Sequence, residues 1–216
     1  MGRRRVAVLI SGRGSNLQAL LDAAAPPEFP AEIVLVLSNR QDAAGLARAQ
    51  RAGVPTAVVD HREFADREGF EHALDTRLRE HTVDLVCLAG FMRVLTPWLV
   101  ERWRDRMLNV HPSLLPAFPG LDTHARALAA GVRITGCTVH FVRSEVDSGP
   151  IVVQAAVPVA ADDTAERLAA RVLEAEHRCY ALALELVAGG RAQVVGERVE
   201  IDGKIVLPPP LLHPGG

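Results

Sequence analysis

Arg5-Val6-Ala7-Val8-Leu9-Ile10-Ser11-Gly12-Arg13-Gly14-Ser15-Asn16-Leu17 is the stretch that decides the fold. Arg5 to Ile10 reads as a continuous apolar run rich in β-branched residues, the pattern of a central parallel strand covered on both faces. Ser11-Gly12 ends it. From Asn16 to Ala25 the apolar residues Leu17, Leu20 and Leu21 fall at helical spacing. A strand, a glycine-rich turn and a helix in immediate succession open a βαβ unit.

The unit repeats. Ile33 to Leu37 is a second buried strand closed by Ser38-Asn39, and Ala43 to Ala52 is a helix stopped by Gly53-Val54-Pro55. Thr56 to Val59 is a short strand, Arg67 to His81 an amphipathic helix through Phe70, Leu74 and Leu78, and Val83 to Ala89 a fourth strand closed by Gly90. This alternation predicts an α/β fold with an open, mostly parallel sheet, right-handed crossovers and a Rossmann-like first half. Such sheets bind ligands beyond the carboxyl ends of their strands. The places to search are therefore Ser11 to Asn16, Gly90 to Leu95 and Asn109 to Pro116.

The second half changes character. Pro97 to Arg104 is a short helix before a strand, Met107 to Val110, and His124 to Ala130 another short helix. Thr135 to Val142 and Ile151 to Val159 read as an antiparallel pair across the loop Arg143 to Pro150. Thr164 to Val187 is a long helix with Asp162-Asp163-Thr164 as its capping region. Gln193 to Val206 reads as a hairpin turning at Asp202-Gly203, followed by an irregular proline-rich tail. One domain over 1–216 is expected, with its core at about 5–190 and the hairpin and tail at 191–216.

Composition narrows the function. A chain of 216 residues, 49% hydrophobic and with formal net charge −2, is long and apolar enough for a sizeable core and carries no extended basic footprint for nucleic acid. Its three cysteines are scattered, without metal-ligand spacing or a disulfide pattern, which suits a reducing cytoplasm. The apolar run after the N-terminal arginines is too short for a signal peptide, and no window approaches the length of a membrane span.

Three motifs carry chemistry. In Ser11-Gly12-Arg13-Gly14-Ser15-Asn16 two glycines allow close backbone approach to an anion at a helix N-terminus. Leu17 stands where a dinucleotide fingerprint has its third glycine, and no acidic residue closes the second strand, so a phosphate monoester fits better than a dinucleotide. A plain turn, with Ser15 or Asn16 as helix cap, is the ordinary alternative. In Asn109-Val110-His111-Pro112-Ser113-Leu114-Leu115-Pro116 an amide and an imidazole two residues apart project from one side of a strand end, suited to an oxyanion. Asp147, in Asp147-Ser148-Gly149-Pro150, is placed to pair with His111 and fix its tautomer, or is simply a turn residue before Gly-Pro. Glu174, Glu176 and His177 read as a solvated face of the long helix. No nucleophile elbow or glycosidase-type carboxylate pair is evident, which suggests direct transfer between two bound substrates.

Four motifs in order are shared with a known family. They are Ser11 to Gln18, Leu88 to Arg93, Asn109 to Pro116 with Phe118-Pro119-Gly120, and Val139 to Val142 with Asp147 to Pro150. From about Val6 to Gly190 the chain resembles the phosphoribosylglycinamide formyltransferase family. The resemblance implies a single-domain formyltransferase fold of about seven strands. It implies formyl transfer from 10-formyltetrahydrofolate, as cosubstrate and without a metal, to the glycine amine of glycinamide ribonucleotide in purine biosynthesis. Asn109, His111 and Asp147 would be catalytic. Gly14, Ser15 and Asn16 would hold the ribonucleotide phosphate, and Glu176 its ribose. Arg67, Met92, Arg93, Val94 and Leu95, with Asn109 and the loop Arg143, Ser144, Glu145, Val146 and Asp147, would line the folate site. A side chain at Gly14 is expected mainly to block the phosphate. Asp122, Thr135 and Leu173 depart from the family pattern and concern substrate contacts. The partners expected are small molecules, with no nucleic acid or membrane, for a cytoplasmic monomer or homodimer. A formyltetrahydrofolate deformylase with the same catalytic set, or a folate- or phosphate-metabolite-binding module, are the alternatives.

Overall fold

Alternate residues of the first strand go to opposite sides of one sheet. In the computed structural model, which describes residues 2–202, Val6, Val8 and Ile10 join one buried cluster while Ala7 and Leu9 join the other. That strand, β1 (Arg4–Ile10), is followed by α1 (Ser15–Ala24), β2 (Ala31–Ser38), α2 (Gly45–Arg51), β3 (Thr56–Val58), α3 (Arg67–Glu80) and β4 (Leu85–Leu88). Then come α4 (Pro97–Arg102), β5 (Met107–His111), α5 (Thr123–Ala129), β6 (Ile134–Phe141), β7 (Ile151–Pro158), α6 (Ala165–Ala188), β8 (Ala192–Val195) and β9 (Arg198–Ile201).

Seven strands form one sheet in the order β3-β2-β1-β4-β5-β6-β7. Pairing is parallel from β3 to β5, and antiparallel for β5 with β6 and β6 with β7. This is the expected α/β sheet of about seven strands with an antiparallel excursion. The strand order reverses beside β1, so the carboxyl ends of β1 and β4 diverge into a crevice.

Helices α1 and α6 cover one face of the sheet through Leu17, Leu20, Leu168, Val172 and Tyr180. Helices α3 and α4 cover the other through Phe70, Leu74, Leu78, Leu99 and Val100. Each such side chain removed from water contributes about 1.5–3 kcal/mol, so both layers hold the strand ends firmly. Asp66 caps α3, accepting from the Gly69 amide at 2.7 Å, and Thr164 caps α6, accepting from Arg167 at 3.3 Å.

Several expectations are corrected. The C-terminal hairpin turns at Gly196-Glu197, because Val195 pairs with Arg198 and Gly196 supplies a φ of 64°. Asp202 instead closes the open end, accepting from Arg191, while the expected turn residue Gly203, the second strand's end at Val206 and the proline-rich tail lie outside the described residues. Strand β5 runs on to His111, held there by antiparallel pairing to Thr138. Glu176 is not on a solvated face: it is 7% exposed, in the apolar stripe of α6 with Val172, Ala175, Cys179 and Tyr180. The helix cap at Gly14 is neither Ser15 nor Asn16 but Gly14 itself.

Candidate active site

The glycine-rich turn is locked from behind. Gly14 has φ 72°, the left-handed region, and a Cβ added there would stand 2.7 Å from the Gly45 Cα. A Cβ on Gly45 would in turn stand 2.6 Å from Ile10 Cδ1 and 3.2 Å from the Gly14 Cα. Two glycines meeting at the start of α1 and α2 allow the loops to touch. The Gly45 amide then donates to the Gly12 carbonyl at 3.0 Å, and Arg48 Nε to the Arg13 carbonyl at 3.0 Å. The first intrahelical bond of α1 runs from Gln18 N to Gly14 O, which leaves the amides of Ser15, Asn16 and Leu17 without intrahelical acceptors. Ser15 and Asn16 stand at a cleft of about 460 Å³, lined by Ser11 to Asn16, Asn39, Arg40, His61, Ala89, Gly90, Met92 and Arg93.

Asn16 turns its side chain inward. Its Nδ2 donates to Glu176 Oε2 at 2.7 Å, and its buried Oδ1 has no hydrogen-bond partner among the described residues. Burial pushes the Glu176 carboxyl above its ordinary value, and the Asn16 amide offsets this only in part.

One strand over from the cleft, Leu88 of β4 pairs with Asn109 of β5, and the Tyr180 hydroxyl binds the carbonyls of Leu88 and Leu108 at 3.1 and 3.0 Å. Asn109 stands opposite His140 in the antiparallel ladder, with Asn109 Nδ2 at 3.3 Å from His140 Nε2. His111 Nδ1 lies 3.3 Å from Asp147 Oδ2, and His111 Nε2 lies 2.9 Å from the Phe118 carbonyl. His140 Nε2 is 3.7 Å from the other Asp147 oxygen, too long for a hydrogen bond. The Gly120 amide donates to Asp147 Oδ2 at 2.9 Å. Burial pushes the Asp147 carboxyl up, but the neighbouring His140 and His111 imidazoles and the Gly120 amide outweigh it, and the group ends below the ordinary carboxylate value.

Asp147 reaches this position by an unusual backbone path. It has φ 54°, a conformation that aspartate tolerates better than most residues. Two residues on, Gly149 is pressed onto the end of β6, where a Cβ would fall 1.7 Å from the Phe141 carbonyl oxygen. Leu115-Pro116 is a cis peptide. Arg126 donates to the carbonyls of Pro119 and Leu121 and so ties down the turn that meets His111 and Asp147.

Asn109, His111 and Asp147, chosen from sequence, thus come together within one hydrogen-bonded group. His140 belongs to the same group and was not singled out. Its signal was an ionisable residue between Val139 and Phe141 in a strand with no other ionisable side chain but Cys137. His124 lies within electrostatic reach of His111, its buried Nδ1 without a hydrogen-bond partner among the described residues; burial first and the charge of His111 second lower its pKa. Met92 and Val94 are exposed on the segment that leaves β4, Leu95 is buried, and Arg67 opens α3. Arg143 is turned away: its guanidinium pairs with Asp105 at 2.8 Å and Glu197 at 2.9 Å, so only its backbone is free to serve the loop. Ser144, Glu145 and Val146 are exposed beside it. Among the described residues no group of three or more His, Cys, Asp and Glu is placed to hold a metal ion.

A glycine-rich turn after β1 and an Asn-His-Asp group beyond the carboxyl end of β5 go with a family assignment: residues 4–184 match the formyl transferase family. Phosphoribosylglycinamide formyltransferase of Escherichia coli is 43% identical over 204 residues, covering 94% of this chain and 96% of that one. The crystal structure of glycinamide ribonucleotide transformylase 1 from Symbiobacterium toebii superposes with TM-score 0.89 at 50% identity, covering 92% and 94% of the two chains. The trifunctional purine biosynthetic protein adenosine-3 of Gallus gallus is 54% identical over 200 residues, but these cover 93% of this chain and only 20% of that relative. The chain spans about a fifth of the length of such multifunctional relatives. The chain belongs to the phosphoribosylglycinamide formyltransferase family.

Proposed function

We propose that the chain transfers the formyl group of 10-formyltetrahydrofolate to the glycine amine of glycinamide ribonucleotide, a step of purine biosynthesis. The observation that carries this reading is the convergence of Asn109, His111 and Asp147 within contact distances at the same sheet edge as the Gly14 cradle. The phosphate monoester is held by the free amides of Ser15 and Asn16, with Gly14 allowing close approach, and Glu176 receives a ribose hydroxyl. The Met92–Leu95 segment, Arg67 and the Arg143–Asp147 loop line the folate side.

The amine attacks the formyl carbon directly, and the carbonyl oxygen becomes an oxyanion. Asn109 Nδ2 keeps one N–H beyond the contact with His140 and donates it to that oxygen. His111 Nε2 supplies the second donor once it exchanges the Phe118 carbonyl for the substrate oxygen. Asp147 holds His111 from its Nδ1 side and, through a water, relays the amine's proton to the leaving folate nitrogen. The enzyme acts as a cytoplasmic monomer or homodimer on small molecules. Removing one oxyanion donor typically costs on the order of 100- to 1000-fold in turnover. His111→Ala is expected to lose at least that much, with ribonucleotide binding retained. Turnover near that of the wild type would overturn the mechanism. Following folate deformylation with and without glycinamide ribonucleotide separates transfer from hydrolysis: transfer requires the ribonucleotide.

A further inference from the structure

The Met92–Leu95 segment belongs to no strand or helix, and Met92 and Val94 are 69% and 56% exposed. Nothing in the sheet ladder sets its position. Side chains do so at either end. At its exit the buried carboxylate of Glu71, on α3, accepts from the Thr96 amide at 2.7 Å and from the Thr96 hydroxyl. At its entry the Met92 amide donates to Ser11 Oγ at 2.8 Å. The Ser11 amide also donates to the Gly90 carbonyl at 3.2 Å.

Ser11 is 7% exposed and its hydrogen bonds run one way. A backbone amide only donates, so Ser11 Oγ accepts from Met92 and its own hydrogen is left for Asn39 Oδ1, 2.6 Å away. That fixes the Asn39 amide with its Nδ2 toward His61 Nδ1, at 3.3 Å. Asn39 is 2% exposed. The residue after Ser11 is Gly12, where the cradle begins. Ser11 therefore touches both segments that face the two substrates.

We propose that Ser11 is a positioning residue for the transfer: its hydroxyl sets the Met92–Leu95 wall of the folate site in register with the glycine cradle. The proposal rests on the assignment of the two substrate sites above. The cradle has its own locks in the Gly14–Gly45 contact and the Gly45 and Arg48 bonds, so losing the hydroxyl moves the wall and not the cradle.

Ser11→Ala is expected to raise the KM for 10-formyltetrahydrofolate about tenfold, the factor equivalent to one hydrogen bond of about 1.4 kcal/mol. The KM for glycinamide ribonucleotide should stay within about twofold. Asn39→Ala, which keeps the Met92 bond but removes the acceptor that orients the hydroxyl, should raise the folate KM by about threefold. The double variant should be no worse than Ser11→Ala alone, since the residues act as one unit. A general structural loss would reduce active enzyme and leave both KM values unchanged. An unchanged folate KM, an equal rise in both KM values, or additive effects would overturn the proposal. If Ser11→Ala does not fold, the folate KM of Asn39→Ala decides, and no change in it overturns the proposal. Failure of the underlying assignment shows separately, as wild-type protein that does not formylate the ribonucleotide.

Discussion

Gly14→Ala puts the contact between α1 and α2 to a quantitative test. The added methyl faces two penalties. At φ 72° an L side chain costs about 1–2 kcal/mol. A Cβ 2.7 Å from the Gly45 Cα meets backbone, which cannot swing aside as a flexible side chain would, and such overpacking costs about 1–3 kcal/mol. Together these give roughly 2–5 kcal/mol, or about 4–20 °C in Tm for a domain of this size. The loop can escape only by moving away from α2, which tilts the Ser15 and Asn16 amides. The variant should therefore lose stability and raise the ribonucleotide KM together, whereas obstruction of the phosphate alone would leave Tm untouched. Gly12→Ala is the control, since no atom of the described residues lies within 4 Å of its Cβ and its φ is outside the left-handed region. Thermal melts and substrate titrations on both variants settle the matter. A Gly14→Ala protein as stable as Gly12→Ala would refute the reasoning, whatever its KM.

Gly149→Ala should reduce turnover at least 100-fold while sparing ribonucleotide affinity, because the Phe141 carbonyl forces any Cβ, and with it Asp147, off β6; steady-state kinetics would expose an unaffected kcat. His140→Ala should lower kcat by more than tenfold but less than His111→Ala does, since it loosens Asn109 and Asp147 without removing either; equal losses in the two variants would contradict this order. Glu176 binds its proton more tightly folded than unfolded, so its ionisation works against folding as pH rises from about 4.5 through its elevated folded value. Glu176→Gln should accordingly gain stability relative to wild type on going from pH 4.5 to pH 8, and a Tm difference that is flat or falls with pH would refute this.

The parts of the fold legible in sequence are those where burial writes a pattern. β1 is apolar without a break from Val6 to Ile10 because both faces are covered there, and α3 shows Phe70, Leu74 and Leu78 because one face is. Asn109, His111 and Asp147 were legible as chemistry, although their meeting depends on a glycine at 149 whose role only coordinates reveal. Less legible were features set by register or dihedral angle. His140 faces Asn109 only because β6 pairs antiparallel with β5, while on its other side a register shift between Val139 and His140 disturbs the pairing with β7. Gly14 is the cap because its φ is positive, a choice that two neighbouring polar residues masked. Glu176 could have been read differently: the residues around it on its helix face, Val172, Cys179 and Tyr180, are all apolar, and a charge inside such a stripe is buried.

The reversal of direction between β5 and β6 divides the chain by its tolerance of length. Asn109 and His140 face each other across the ladder, so everything between them is a closed excursion whose far end lies at Ala129, Ala130 and Gly131, all exposed. Residues inserted there lengthen a surface turn, a change whose cost grows only slowly with loop size, and leave the pair in register. On the other side of the pair, the path from Phe141 to Gly149 must rise, place Asp147 beside His111 and return against the carbonyl of Phe141. A single residue added or removed in that path would carry the carboxylate to the wrong side of the imidazole. Homologous chains are expected to differ in length at the first of these turns and to agree at the second.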